Sequence, residues 1–421
     1  MEKTRLHYAW VVLLGVILIR GFAGGGINTT SGLFLAPVSA EIGVGIGTLS
    51  LYFSIISVVT VLWLPVAGKL INRCDIRAVA VAGALLQTLS VAALSQMHSV
   101  YGWYLLAIPQ AMGAAILASL LGPILINRWF ARHTGLMLGV QMAFVNLFGA
   151  VLQPVTSQVI AARGWRAGYL FIGLTAGAVI LLASLFLIRS APQDKGLRPY
   201  GADQGAVGPQ KAAVPDALAV PEATALRSAS FYLLLLFMVA ITGVGVFTQH
   251  IPTYSGLLGY TLGQTGRALA LASVGNAIGS IAIGLICDRI GCLKTCYLMI
   301  AVGIAAILGF FVGGSRFALF GLSAFLHGLV SSSIMVLAPI LTIQFFGQRD
   351  YEKIYAKVSM GAPLASIVLI PVYGFVYDAT AQYGYVLLGM IGLLLLAAFC
   401  IAAGWRRRCT DQGCPSWRRP K

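Results

Sequence analysis

Arg20 is the residue of this chain least at home among its neighbours. It lies in an unbroken apolar stretch that begins near Tyr8, about twelve residues in, or ~18 Å at 1.5 Å per residue, close to the middle of a bilayer's hydrocarbon core. A guanidinium at that depth costs at least about 2.5 kcal/mol on insertion scales, and such residues face a cavity or a partner. None of the acidic residues sits deep in an apolar stretch: Glu41 and Asp378 are near the outer ends of theirs, and the others are in loops or at borders. Two readings follow. A substrate anion supplies the missing charge transiently, or backbone carbonyls and hydroxyls solvate Arg20 as a structural residue.

Other polar side chains interrupt apolar runs. His250, in QHIPTY, titrates in a range suited to an anion ligand or a proton carrier, or it is a neutral hydrogen-bonded residue near the outer interface. His327, in FLHGLVSSS, reads first as a packed helix–helix hydrogen-bonder and second as a path-lining residue. Gln141, Asn146 and Gln153 recur at helical spacings and would put a polar stripe along a transport path. Asn28, Asn276 and Ser280 are isolated polar residues that could bind a ligand or simply join helices. Arg267, early in its stretch, can reach the outer interface towards Asp378 or Glu41, a gate or snorkelling role. No Ser–His–Asp set with a plausible pocket, HExxH or phosphate-cradling loop occurs, so no enzyme and no ATP-driven pump is expected, and no cofactor. The seven cysteines (Cys74, Cys287, Cys292, Cys296, Cys400, Cys409 and Cys414) are spaced poorly for zinc in basic surroundings, and no metal site is expected.

The elements that carry these residues follow from composition. Of 421 residues 59% are hydrophobic and only 10% charged, against about 25% charged in a soluble domain. That excludes a soluble enzyme, a secreted disulfide scaffold, a disordered chain and a nucleic-acid-binding domain. Apolar runs start near Tyr8, Leu49, Ile76, Tyr101, Gly135, Trp165, Phe231, Leu262, Leu293, Phe317, Ile354 and Tyr383. The expectation is therefore an all-α membrane protein of twelve transmembrane helices. The polar stretch 190–230 reads as a linker between six-helix bundles at 1–189 and 231–405, with a basic tail at 406–421. The basic, then apolar, N-terminus continues too far without a cleavage site for a signal peptide and reads as a retained first span.

Charge sets the orientation. With the N-terminus inside, 23 lysines and arginines fall on the cytoplasmic side against three (Arg163, Arg166 and Arg316) on the other. This places both termini in the cytoplasm. The cysteines then map to the reducing half of the molecule, where free thiols are expected.

An internal repeat supports the two bundles. GKLINRCDIR from Gly68 and GLICDRIGCLK from Gly284 are offset by 216 residues, and the same offset carries NRWFARHTG onto IQFFGQRDY. GLICDRIGCLK resembles the signature loop of the major facilitator superfamily, in which a helix-end Asp and basic residues lock the cytoplasmic side. The resemblance implies gate residues Gly68, Asn72, Arg73, Gly284, Asp288 and Arg289. The first copy departs from the pattern, with Asn72 for Asp and Asp75 for Gly, which puts charge pairing there in doubt; the second keeps it.

NRWFARHTGLMLG, GWRAGYLFIG, RSAPQDKGLRPYGAD and QHIPTYSGLLGYTLGQTGRALALASVGNAIG are similar to the monocarboxylate and oxalate/formate branch of that superfamily. The branch's carboxylate-binding Arg aligns with Ser280, its membrane Asp with Asn276, and its lysines with Asn28 and near Met360. Its usual clamp is thus missing here, although Asn28, Asn276 and Ser280 match its cavity positions. The expectation is a monomeric carrier in the bacterial inner membrane working by alternating access. It would move a small organic anion, a mono- or dicarboxylate, by proton symport or anion exchange. Arg20 would attract the anion, Asn28, Asn276 and Ser280 would orient it, and His250 would be a further contact. The rivals are an efflux carrier for amphipathic or neutral compounds and, behind it, a membrane sensor that binds without transport.

Overall fold

The computed structural model describes residues 7–201, 220–314, 316–347 and 349–407. Among them, eleven helices are long and apolar enough to cross a membrane. They are α1 (Tyr8–Ile42), α2 (Ile46–Arg73), α3 (Ile76–Leu94), α4 (Val100–Trp129), α5 (Thr134–Leu187) and α6 (Ala229–Gln249). There follow α7 (Leu262–Ile290), α8 (Cys292–Gly313), α9 (Phe317–Phe346), α10 (Tyr351–Thr380) and α11 (Gly384–Arg407). Eleven of the twelve expected starts fall within three residues of a helix start. The other, Trp165, lies inside α5, whose 54 residues would measure ~80 Å as one rod, well over twice a hydrocarbon core. At Gly164 the backbone leaves helical geometry (φ 81°, ψ 168°), and this is where α5 breaks. The linker is described only at 190–201 and 220–230, and Cys409, Cys414 and the tail beyond residue 407 lie outside the described residues.

Local chemistry sets the ends of the helices. Asp75 accepts from the Arg77 amide (3.1 Å) to cap α3, and Thr261 with Gln264 forms a reciprocal cap on α7. Both supply acceptors that a helix N-terminus lacks. Outward-facing side chains such as Leu62, Leu105, Val312 and Phe399 are about two-thirds exposed, the pattern of a surface solvated by lipid. Helices approach closely where glycine permits. A Cβ on Gly275 or Gly328 would strike the backbone of the facing helix, so α7 and α9 meet main chain to main chain.

Helices α1 to α5 pack among themselves, as do α6 to α11, and the two groups touch along α5–α7 and α2–α10. Within α1, Gly21–Asn28 is π-helical. Just beyond it, Thr29, Thr30 and Ser31 turn their hydroxyls back onto the carbonyls of Gly25, Gly26 and Ile27. Their own helix thus satisfies polar groups that lipid could not.

Candidate substrate cavity

Where the two helix groups diverge they enclose a cavity of about 1020 Å³. Its polar lining is made of amides (Asn28, Gln110, Asn146, Gln249 and Asn276) and hydroxyls (Ser31, Ser57, Thr248, Ser280, Ser331 and Ser366). Phe53, Met142, Ile281, Met335 and Ile370 are among its apolar walls, and among the described residues no Asp, Glu, Lys, Arg or His lines it. Asn28 ends the π-helical stretch; its side-chain oxygen accepts from Gln87 Nε2 (3.5 Å) and its carbonyl from Gln249 Nε2 (3.4 Å). Ser280 donates to the Asn276 carbonyl (2.8 Å), which leaves its lone pairs to the cavity. Asn146 donates to Met142 O (3.3 Å), one turn back along α5.

Of the side chains expected at a site, Asn28, Asn146, Asn276 and Ser280 come together around this space, and five others do not. Arg20 is buried (5% exposed). Its Nε and Nη1 have no hydrogen-bond partner, and it is in none of the ion pairs among the described residues. Gln141 is buried beside it, the two flanking Gly122 of α4. His250 is fully buried: Nε2 donates to the Ile370 carbonyl (2.8 Å), and Nδ1 lies 3.0 Å from the Tyr383 hydroxyl. A carbonyl can only accept, so Nε2 carries a proton, and both ring nitrogens have a partner within the protein. His327 stands behind the wall, its Nε2 3.1 Å from Thr248 Oγ1. Gln153 ties α5 to α1 and α7: it donates to Thr29 O (3.2 Å) and accepts from Ser273 (3.1 Å).

One end of the cavity is shut. Asp378, at the end of α10, accepts from the backbone amides of Ile46 (2.8 Å) and Gly47 (2.7 Å), the first turn of α2. Ser54 of α2 donates to Ile367 O (2.6 Å). The expected approach of Arg267 to Asp378 or Glu41 is not made. Glu41 pairs with Arg166 and accepts from Trp165 Nε1, Asp378 is used as a helix cap, and Arg267 is exposed. Trp103 and Trp165 are buried in helix packing at this end.

The other end carries the repeated loops and is not closed. Arg73, Asp288 and Arg289 are exposed and unpaired among the described residues, and a Cβ on Gly68 or Gly284 would meet nothing within 4 Å. In the described conformation Asp288 and Arg289 of the second copy make no ion pair with a described residue. The side chain of Asn72 is not among the described parts. Asp75, unusual for the pattern, caps α3 and also accepts from Ser190 Oγ (2.8 Å) at the start of the linker. Its carboxyl is held below the ordinary aspartate range, first by the Arg77 amide.

A profile of the Major Facilitator Superfamily matches residues 16–319. The chain belongs to this superfamily. Its members are transporters and not enzymes, and the apolar helices make this one a multi-pass membrane protein. It is 22% identical over 87% of both chains to the uncharacterized MFS-type transporter YhjX of Escherichia coli (strain K12). It is 23% identical to the oxalate:formate antiporter of Oxalobacter formigenes, covering 71% of this chain and 68% of that one. Monocarboxylate transporter 4 of Rattus norvegicus matches at 27% over 46% of this chain and 41% of its own length. In structure, the chain is similar to a bacterial homolog of the human lysosomal transporter Spinster in an inward-facing, unoccupied conformation. There the TM-score is 0.71 at 14% identity, covering 99% of this chain and all of that one. The nucleoside transporter NupG gives 0.71 at 13% identity, covering 95% and 100%. At such identities these structures speak for the fold alone.

The cavity of this facilitator also uses residues that sequence reasoning passed over. Gln110 and Gln249 carried a usable signal, each an amide set in an apolar run. Ser31, Ser57, Ser331 and Ser366 carried none, because a membrane helix can absorb a hydroxyl on its own backbone.

Proposed function

We propose that this chain is a secondary carrier for a small organic anion, a mono- or dicarboxylate, working by alternating access. In this reading α5 crosses twice, its break at Gly164 dividing two spans. The twelve spans then form bundles at 1–189 and 231–405, joined by the linker. The basic loops and both termini face the cytoplasm, so the described state is open inward. The carrier sits as a monomer in the inner membrane.

The observation that carries the substrate class is Arg20, a buried cation without a counter-ion among the described residues, beside Gln141, whose neighbours Val140 and Met142 line a cavity with no charged residue in its described lining. In a low-dielectric interior an uncompensated positive charge favours an entering anion even without direct contact. Asn28, Asn276 and Ser280 then orient it by hydrogen bonds. The carboxylate carriers among the relatives agree with this class. With both described deep histidines embedded in helix packing, anion exchange needs less of the protein than proton symport does.

The test is uptake into proteoliposomes of labelled formate, lactate, oxalate and malonate, with and without an inward proton gradient, for wild type and Arg20→Gln. Saturable uptake that the variant loses is the expected result, and gradient dependence distinguishes symport from exchange. Equal uptake by both proteins, or uptake of none of these acids, would overturn the reading. The neutral-compound carrier, favoured by the uncharged lining, would then stand first.

A further inference from the structure

We infer that Gln141 is a specificity-determining residue, setting the sign of the substrate by leaving Arg20 without a counter-charge; this rests on the anion-carrier reading. Three helices meet at the point in question. A Cβ on Gly122 of α4 would touch Gln141 Oε1 of α5 together with Cδ and Nη1 of Arg20 of α1. Glycine at 122 is what lets guanidinium and carboxamide share that space. Both side chains are at least nine-tenths buried. Arg20 Nε and Nη1 remain unused donors, and Gln141 Oε1 remains an unused acceptor, among the described residues.

A carboxamide has the shape of a carboxylate without its charge. It gives the guanidinium a polar neighbour but leaves the positive field intact. Glutamate at the same position would form a buried ion pair, and a compensated cation attracts no third charge. The pair is also well placed to act on the cavity, since Val140 and Met142, on either side of Gln141, both line it. Sequence position 141 is thus where charge selectivity can change without altering the cavity surface.

The experiment is isothermal titration of the purified full chain in detergent. Formate, lactate and oxalate are each compared with the corresponding uncharged amide, for wild type, Gln141→Glu, Gln141→Met and Arg20→Gln. The wild type prefers the acid to its amide. Gln141→Glu loses that preference by at least about tenfold, as Arg20→Gln does, whereas the uncharged Gln141→Met loses about threefold or less. If Gln141→Glu keeps the preference while Arg20→Gln has lost it, or if Gln141→Met falls as far as Gln141→Glu, the inference is wrong and the anion reading stands. If the wild type binds none of the acids, or Arg20→Gln binds them as the wild type does, the anion reading fails and takes this inference with it. Should the glutamate variant not insert, Gln141→Asp carries the same expected and overturning results.

Discussion

At the shut end of the bundle several glycines are in use, although Gly43, Gly256 and Gly263 there have nothing within 4 Å of where a Cβ would sit. Gly47 and Gly374 bring α2 and α10 together backbone against backbone, Gly32 lies against the main chain of Gln249, and Gly266 lies against Pro154 and Ser157. At the other end Gly68, Gly135, Gly139 and Gly284 face open space, with nothing within 4 Å of where a Cβ would sit. The two ends are built from the same helices and the same residue type, so the difference lies in which contacts are made. Close helix approach in lipid depends on small residues. Gly68 and Gly284 therefore leave room on the repeated loops for a close helix approach that this conformation does not make.

The largest effect should come from blocking that approach. Gly374→Leu would drive α2 from α10, and overpacking of this kind costs roughly 1–3 kcal/mol, enough for at least about a fivefold loss of transport. Gly284→Leu fits the described state and obstructs only the opposite one, so it should lose transport too. The variants separate when a cysteine replaces Ser280 in a cysteine-free background and is labelled with an impermeant maleimide from each side. Gly374→Leu raises labelling from the shut side, and Gly284→Leu raises it from the open side. Labelling that moves the same way in both would undo the comparison.

A smaller shift is expected for Asp378→Ala, which strips two amides of α2 of their acceptor. Loss of a helix cap is worth about 1 kcal/mol, or roughly a fivefold rise in labelling from the shut side. Ser273→Ala removes one hydrogen bond to Gln153 between α7 and α5; at about 0.6 kcal/mol, it should change the labelling ratio two- to threefold. Asp75→Ala acts at the open end, on stability rather than on the balance of states. With its pKa depressed in the fold, Asp75 contributes stability above the ordinary aspartate range, lost as pH falls through the lowered value. The thermal midpoint of Asp75→Ala should therefore sit below wild type at neutral pH, by the equivalent of about 0.5 kcal/mol. The two should converge in strong acid, and a gap that persists there would argue against the cap.

Apolar run length placed the helices in the sequence because a membrane demands some twenty apolar residues wherever a helix crosses. The break at Gly164 was visible too, as a boundary before Trp165. What joins the helices was less legible. Asp378 as a cap on α2 is a contact between residues more than three hundred positions apart, and nothing local announces it. Asn28, Asn276 and Ser280 were found through the resemblance, while four of the serines beside them could not be told from ordinary back-bonding hydroxyls. Arg20 was conspicuous by its charge, but periodicity does not say on which side of a helix wall a guanidinium ends. His250 and His327 look alike to functional residues because both roles require a polar ring in an apolar helix; only their partners distinguish them.

The π-helical turn of α1 between Arg20 and Asn28 holds one more residue than an α-helical path would need. Each residue of an α-helix advances the azimuth by about 100°, so relaxing that turn would swivel Arg20 and Asn28 relative to each other by about that angle. A rotation of a single helix could present the charge to the ligand without any change in how the two bundles are joined.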